Sequence, residues 1–153
     1  MITIADILQP KHVELDLRAS DETDAVRQVA ALLKNDERML DWPGFYDGLK
    51  SRTPCVAVSP DFEICIPHVR TNCVSAMVMS VGRSEKGVEF AKVPQKVRYI
   101  FAIGVPVALA ADYLRIIGAL ARIFKAPSTE AALHGTASAE EFVRLLTEQE
   151  LKL

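Results

Sequence analysis

The chain has 153 residues, half of them hydrophobic and 25% charged, which suits one sizeable core and leaves little room for a second. A net charge of −2, with no local run of Lys and Arg, argues against a nucleic-acid surface or electrostatic attachment to anionic lipid. The three cysteines (Cys55, Cys65, Cys73) give no paired framework, the opening MITIADILQPKHVE does not read as a secretory signal, and Pro106 interrupts the longest apolar run. These features predict a single domain over 1–153, reduced, cytoplasmic and not inserted in a membrane.

In chain order, the alternation over His12–Leu17 predicts a strand, with His12 as a surface residue. Ser20 precedes Asp21 and Glu22 as an N-cap followed by acids. Val26, Val29, Ala30 and Leu33 then recur at helical spacing. Asp41–Lys50 reads as a short helix with Pro43 in its first turn. Cys55–Val58 and Glu63–Ile66 read as strands around a Ser59-Pro60-Asp61 turn. Val74–Val81 is strand-like and stops at Gly82, and Arg83–Pro94 reads as a polar loop or short hairpin. Val97–Ile103 is apolar apart from Arg98, as a doubly covered central strand should be. From Ala108 to Phe124 the period is helical, with Tyr113, Ile116, Ile117, Leu120 and Phe124 on one face. His134-Gly135 reads as a helix end with Gly135 left-handed, and Ser138 with Glu141 as a capping box before Phe142, Leu145 and Leu146. The mixture of periods predicts an α/β fold.

The chemistry concentrates at Ile64-Cys65-Ile66-Pro67-His68-Val69-Arg70. Pro67 ends strand pairing and biases Ile66 to an extended conformation, so His68 stands on a stiff backbone at a strand end, a common place for ligands. A neutral imidazole is a nucleophile near pH 7. Arg52 and Arg70 supply guanidinium groups, whose donors suit phosphate oxygens.

The stretch from Arg52 to Arg70 resembles the R-E-x-x-x-S-T-G-I-x-x-G-I-A-I-P-H-A-R motif of the mannitol, fructose and nitrogen-regulatory branch of the phosphotransferase-system EIIA type-2 proteins. The Arg-to-His separation of 16 residues is that of the motif, and Ile64, Ile66, Pro67, His68 and Arg70 match its end. Leu15-Asp16-Leu17, Gly87-Val88-Glu89-Phe90, the strand Val97–Ile103, the helix from Tyr113-Leu114 to Leu120-Ala121 and Ala137–Glu141 extend the likeness over nearly the whole chain. The resemblance implies a mixed parallel/antiparallel sheet of about five strands flanked by helices on both faces. It implies His68 as phosphoryl acceptor through Nε2, Arg52 beside the phosphate and Arg70 in docking or charge compensation. It implies a phosphorylated HPr-type carrier, or a nitrogen-branch paralogue, as donor. A IIB partner or a regulated transporter or kinase follows downstream, and no metal or organic cofactor is required.

The chain departs from the motif close to this site. Thr53 replaces the Glu after Arg, and Ala57-Val58-Ser59-Pro60 replaces S-T-G-I. Val58 stands where a threonine hydroxyl would meet the phosphate, with Ser59 as a shifted substitute. Tyr113 stands where the family has a second histidine; it is either core or turned to the site. The departures make a binding module with the same fold, docking a transporter or kinase without accepting phosphate, the alternative function. A metal reading of Cys65, His68 and Cys73, with Cys55 as fourth ligand, competes with cysteine as a small buried hydrophobe.

Overall fold

In the computed structural model, which describes residues 1–153 apart from the side chain of Ala110, a ten-residue strand, β6 (Lys96–Val105), forms the axis of the molecule. From Tyr99 to Val105 every residue of β6 is buried, as apolar side chains on both faces require. The sheet order is β1-β5-β6-β3-β2, where β1 is Val13–Glu14, β2 is Cys55–Ala57, β3 is Phe62–Cys65 and β5 is Val78–Val88. A sixth strand, β4 (His68–Arg70), pairs with β6 beyond the end of β3. The β1–β5, β3–β6 and β4–β6 pairs are parallel; β2–β3 and β5–β6 are antiparallel.

Alternation along the strands sends side chains to two cores. Ile64, Tyr99, Phe101 and Ile103 pack with α1 (Ile4–Ile7), α4 (Ala110–Lys125), α5 (Pro127–His134) and α6 (Ala139–Leu151). Cys65, Ile100 and Ala102 pack on the other face with α2 (Glu22–Ala31) and α3 (Trp42–Leu49). Tyr99 anchors the first core against Phe124 and Phe142, with ring centroids 4.6 Å and 6.2 Å away. Each such side chain contributes about 1.5–3 kcal/mol through burial.

Several local expectations are corrected. Pro10 starts a 3₁₀ turn that takes in His12, so the first strand is only two residues long. His12 is buried rather than superficial, with Nε2 3.3 Å from the Asp36 carboxylate. The cap of α2 is Asp21, which accepts from the Asp24 N–H at 2.8 Å, and Ser20 is outside it. β5 begins at Val78 and runs straight through Gly82. A Cβ there would lie 2.7 Å from Val29 Cγ2, so the glycine admits α2 to the sheet and does not end the strand. Arg83 is part of β5, not of a solvated loop, and donates to the Leu15 and Leu133 carbonyls and to Thr136 Oγ1 at 3.0–3.1 Å. Gly135 closes α5 with φ −83°, right-handed; among the described residues only Gly87 has positive φ. At α6, Ser138 accepts from the Glu141 N–H at 3.1 Å.

Candidate functional site

Pro67 divides what would be one long strand into β3 and β4. Its carbonyl still accepts from Ile103 N–H at 3.0 Å, so the break stays fastened to β6. Beyond it His68 pairs with Ile103, Val69 with Gly104 and Arg70 with Val105. On the other side, Ile66 N–H donates to the Pro54 carbonyl at 2.8 Å and His68 N–H to the Arg52 carbonyl at 3.2 Å. These bonds continue the β2–β3 ladder at alternate residues, which sets Arg52 directly opposite His68 and starts both side chains on the same face. Val69 faces α3, against Gly48, so His68 and Arg70 belong to the face of α4.

His68 as a whole residue is only 7% exposed, more enclosed than a histidine opening onto a shallow pocket would be. Its Nδ1 lies 2.8 Å from the Ile66 carbonyl. A carbonyl only accepts, so Nδ1 carries the proton and the lone pair is on Nε2. Among the described residues two ring nitrogens are buried without a partner, His12 Nδ1 and His134 Nδ1, and His68 Nε2 is not one of them. The Tyr113 ring lies 5.3 Å from the imidazole, tilted by 37°. Tyr113 is the fourth residue of α4, so His68 sits toward the positive end of that helix. Arg52 and Arg70 are exposed, and neither has an ion-pair partner among the described residues.

Arg52, His68 and Arg70 thus start on one face of the sheet, and the Tyr113 ring packs against the imidazole. Val58 and Ser59 do not join them. They lie at the turn of the β2–β3 hairpin, whereas Arg52 and His68 lie at its open end. Six residues of strand rise separate Val58 from Arg52, about 20 Å. Val58 packs into the apolar core, and Ser59 Oγ accepts from the Asp61 and Phe62 N–H groups at 3.1 and 3.2 Å, closing its own turn. The place of Val58 in the motif therefore gives no contact with His68, because the hairpin carries it away. The cavities described, of about 80 to 650 Å³, are lined by other residues than His68.

The Cys65, His68, Cys73 spacing does not converge either. Cys65 and His68 start on opposite faces of the sheet, and Cys73 lies against Asp41 and Gly44 at the cap of α3. Sequence reasoning missed two further features. Val107, in the turn before α4, and Leu114, near its start, are large apolar side chains left 53% and 62% exposed. His12, Asp36 and Arg38 form a mostly buried polar cluster, in which the Arg38 hydrogen bonds hold the Asp36 carboxyl down at about 2. Burial holds the His12 pKa below its ordinary value.

The model of the phosphoenolpyruvate-dependent sugar phosphotransferase system, EIIA 2, matches residues 6–149. The PTS system fructose-specific EIIA component of Haloferax volcanii is 28% identical over 120 residues, 78% of each chain. The nitrogen regulatory protein IIA-Ntr from Neisseria meningitidis superposes with a TM-score of 0.81 at 26% identity, over 94% of this chain and 99% of that one. The IIA subunit for mannitol in the Escherichia coli complex with phosphorylated IIB shares the fold, with a TM-score of 0.73 at 18% identity over 92% and 97% of the two chains. With both its mixed, doubly covered sheet and its sequence matching over nearly the full length, the chain belongs to the EIIA type-2 family of the sugar phosphotransferase system.

Proposed function

We propose that residues 1–153 act as one phosphocarrier domain that accepts a phosphoryl group on His68 Nε2. The observation that carries this reading is the 2.8 Å bond from Nδ1–H to the Ile66 carbonyl, which leaves the nucleophilic lone pair on Nε2. In the step, that lone pair forms a nitrogen–phosphorus bond while the donor's phosphorus–nitrogen bond breaks and its electron pair returns to the donor ring. The Ile66 carbonyl stabilises the positive charge the ring acquires, and Arg52 and Arg70 compensate the phosphoryl oxygens. The donor is the phosphohistidine of a small HPr-type carrier or a nitrogen-branch paralogue. The acceptor is a IIB partner, or the phosphoryl group stays as a regulatory mark on a protein that binds a transporter or kinase. The exposed apolar side chains of Val107 and Leu114, at the end of α4 that carries Tyr113, suit the docking of such proteins. The proposed location is the cytoplasm; no helix among the described residues is long and apolar enough to cross a membrane.

A second reading is favoured by the 7% exposure of His68 and by Tyr113 packed against it: a docking module of the same fold that carries no phosphate. One experiment separates the two. Phosphorylated HPr-type proteins from the same cell are mixed with the purified chain and intact mass is measured. The carrier reading expects one added phosphoryl group, labile in mild acid and absent from His68→Ala. No mass shift with any of these donors leaves the docking module.

A further inference from the structure

Cys55 and Cys65 are register partners across β2 and β3. The hydrogen-bonded pairs of this ladder fall at Pro54/Ile66 and Arg52/His68, so Cys55/Cys65 is a pair of the other kind, with no main-chain bonds between its members. There the Cα atoms approach to about 4.5 Å and the side chains are closest, within the range a disulfide spans. Both sulfurs are turned to the same point, the Thr53 carbonyl, at 3.8 Å from Cys55 Sγ and 3.4 Å from Cys65 Sγ. Both are free thiols. Cys55 is half-buried and Cys65 has no exposure. Thr53 also lines a small cavity of about 80 Å³ with Tyr46 and Lys50, on the same side of the sheet.

We propose that Cys55 and Cys65 are a redox pair that closes a reversible intrachain disulfide behind the main-chain bonds positioning His68. This goes beyond the phosphocarrier reading and does not require it. The chemistry starts at the accessible sulfur. The Cys55 thiolate attacks a hydroperoxide; a sulfur–oxygen bond forms, the oxygen–oxygen bond breaks, and the departing oxygen takes a proton and leaves as alcohol or water. Cys65 then attacks the Cys55 sulfenic acid. A sulfur–sulfur bond forms, the sulfur–oxygen bond breaks, and water leaves with the Cys65 proton. The two sulfurs together lose two electrons and the peroxide gains them. Cys65 has no exposure to an oxidant whereas Cys55 is half-buried, which assigns Cys65 the resolving rather than the attacking part; the neighbouring Cys55 thiol, and burial, also push its pKa up. Cys73 takes no part, being held at the cap of α3 beside Asp41.

The bridge lies between the Ile66–Pro54 bond and the hairpin turn, so it fastens β2 to β3 next to the segment carrying Arg52 and His68. The full chain is treated with hydrogen peroxide, unfolded, alkylated and mapped by mass spectrometry, alongside Cys55→Ser and Cys73→Ser. The expected result is a loss of two hydrogens per chain, a peptide joining Cys55 to Cys65, Cys73 alkylated, and reversal by dithiothreitol. Cys73→Ser behaves as the parent and Cys55→Ser forms no bridge. In the oxidised chain the Ile66 and His68 amides exchange with deuterium several-fold more slowly. Three alkylatable thiols after peroxide, a sulfinic acid on Cys55 with Cys65 still free, or a bridge using Cys73 or a second chain overturns the proposal. If Cys55→Ser does not fold, the parent is titrated with phenylarsine oxide. One arsenical bound per chain with Cys73 still alkylatable supports a paired dithiol, and no binding overturns it.

Discussion

The main-chain N–H of His68 donates to the carbonyl of Arg52 at 3.2 Å. The two residues are therefore set opposite each other by backbone alone, while the Arg52 side chain stays exposed and without an ion pair among the described residues. Changing that side chain should leave the fold intact. Arg52→Ala is expected to slow phosphoryl acceptance by roughly tenfold to a hundredfold, the worth of a charged hydrogen bond of about 1.5–3 kcal/mol, with no shift in thermal midpoint. Arg52→Lys should recover part of the rate. Single-turnover transfer from the phosphorylated donor, with a melting curve on the same samples, checks both halves; an unchanged rate in the alanine variant removes Arg52 from the site.

The Tyr113 ring packs 5.3 Å from the imidazole, and this has a consequence independent of any partner. Carbethoxylation of His68 by diethyl pyrocarbonate should be slow in the parent and several-fold faster in Tyr113→Ala. Peptide mass spectrometry over time reports it. Equal rates would mean that Tyr113 does not limit access to Nε2.

Tyr99 is fully buried, its hydroxyl has no partner among the described residues, and burial pushes its pKa up. An unsatisfied buried hydroxyl costs about 1–3 kcal/mol. Tyr99→Phe keeps the ring against Phe124 and Phe142 and is expected to raise stability by about 1 kcal/mol in urea unfolding. A loss of stability would reveal a partner for the hydroxyl.

Acid should destabilise the chain in two windows. Burial lowers the His12 pKa from its ordinary 6.5, so the unfolded chain takes up that proton first. Its contribution is whole above about pH 6.5 and falls as pH drops toward the depressed folded value. The Asp36 carboxyl, held at about 2 against an ordinary 3.8, contributes fully above 3.8 and loses that contribution between the two. His12→Gln keeps an N–H donor for Asp36 and should flatten the upper window only. Thermal midpoints from pH 8 to pH 3 measure this, and an identical slope in the variant near pH 6 would acquit His12.

Gly82 lies where α2 comes closest to the sheet. A Cβ would be 2.7 Å from Val29 Cγ2 and 3.0 Å from Leu17 Cδ2. Gly82→Ala should cost about 1–3 kcal/mol through overpacking, read in the same urea experiment. A neutral result would show that Val29 and Leu17 turn aside freely.

Most of the site was legible because its parts are local. Pro67 beside His68 is a statement about neighbouring atoms, and the central strand shows in the continuous apolar run of β6. Arg83 and Gly82 misled because residue type alone cannot distinguish a charged or missing side chain at the surface from one that bonds carbonyls or admits a helix. Val58 misled because distance along a chain is not distance across a hairpin.

The sequence by itself determined the family, through the likeness of Arg52–Arg70 to its motif, and also the α/β class and the stiff placement of one histidine, which rest on periodicity and on the local geometry of proline. Only the tertiary structure decided that the Arg52 backbone pairs with that of His68, that the Tyr113 ring packs near the imidazole, that His12 is buried against Asp36 and that Cys55 lies opposite Cys65. Each of those is set by strand register and by which helix packs on which face, and both follow from contacts between residues far apart in the chain.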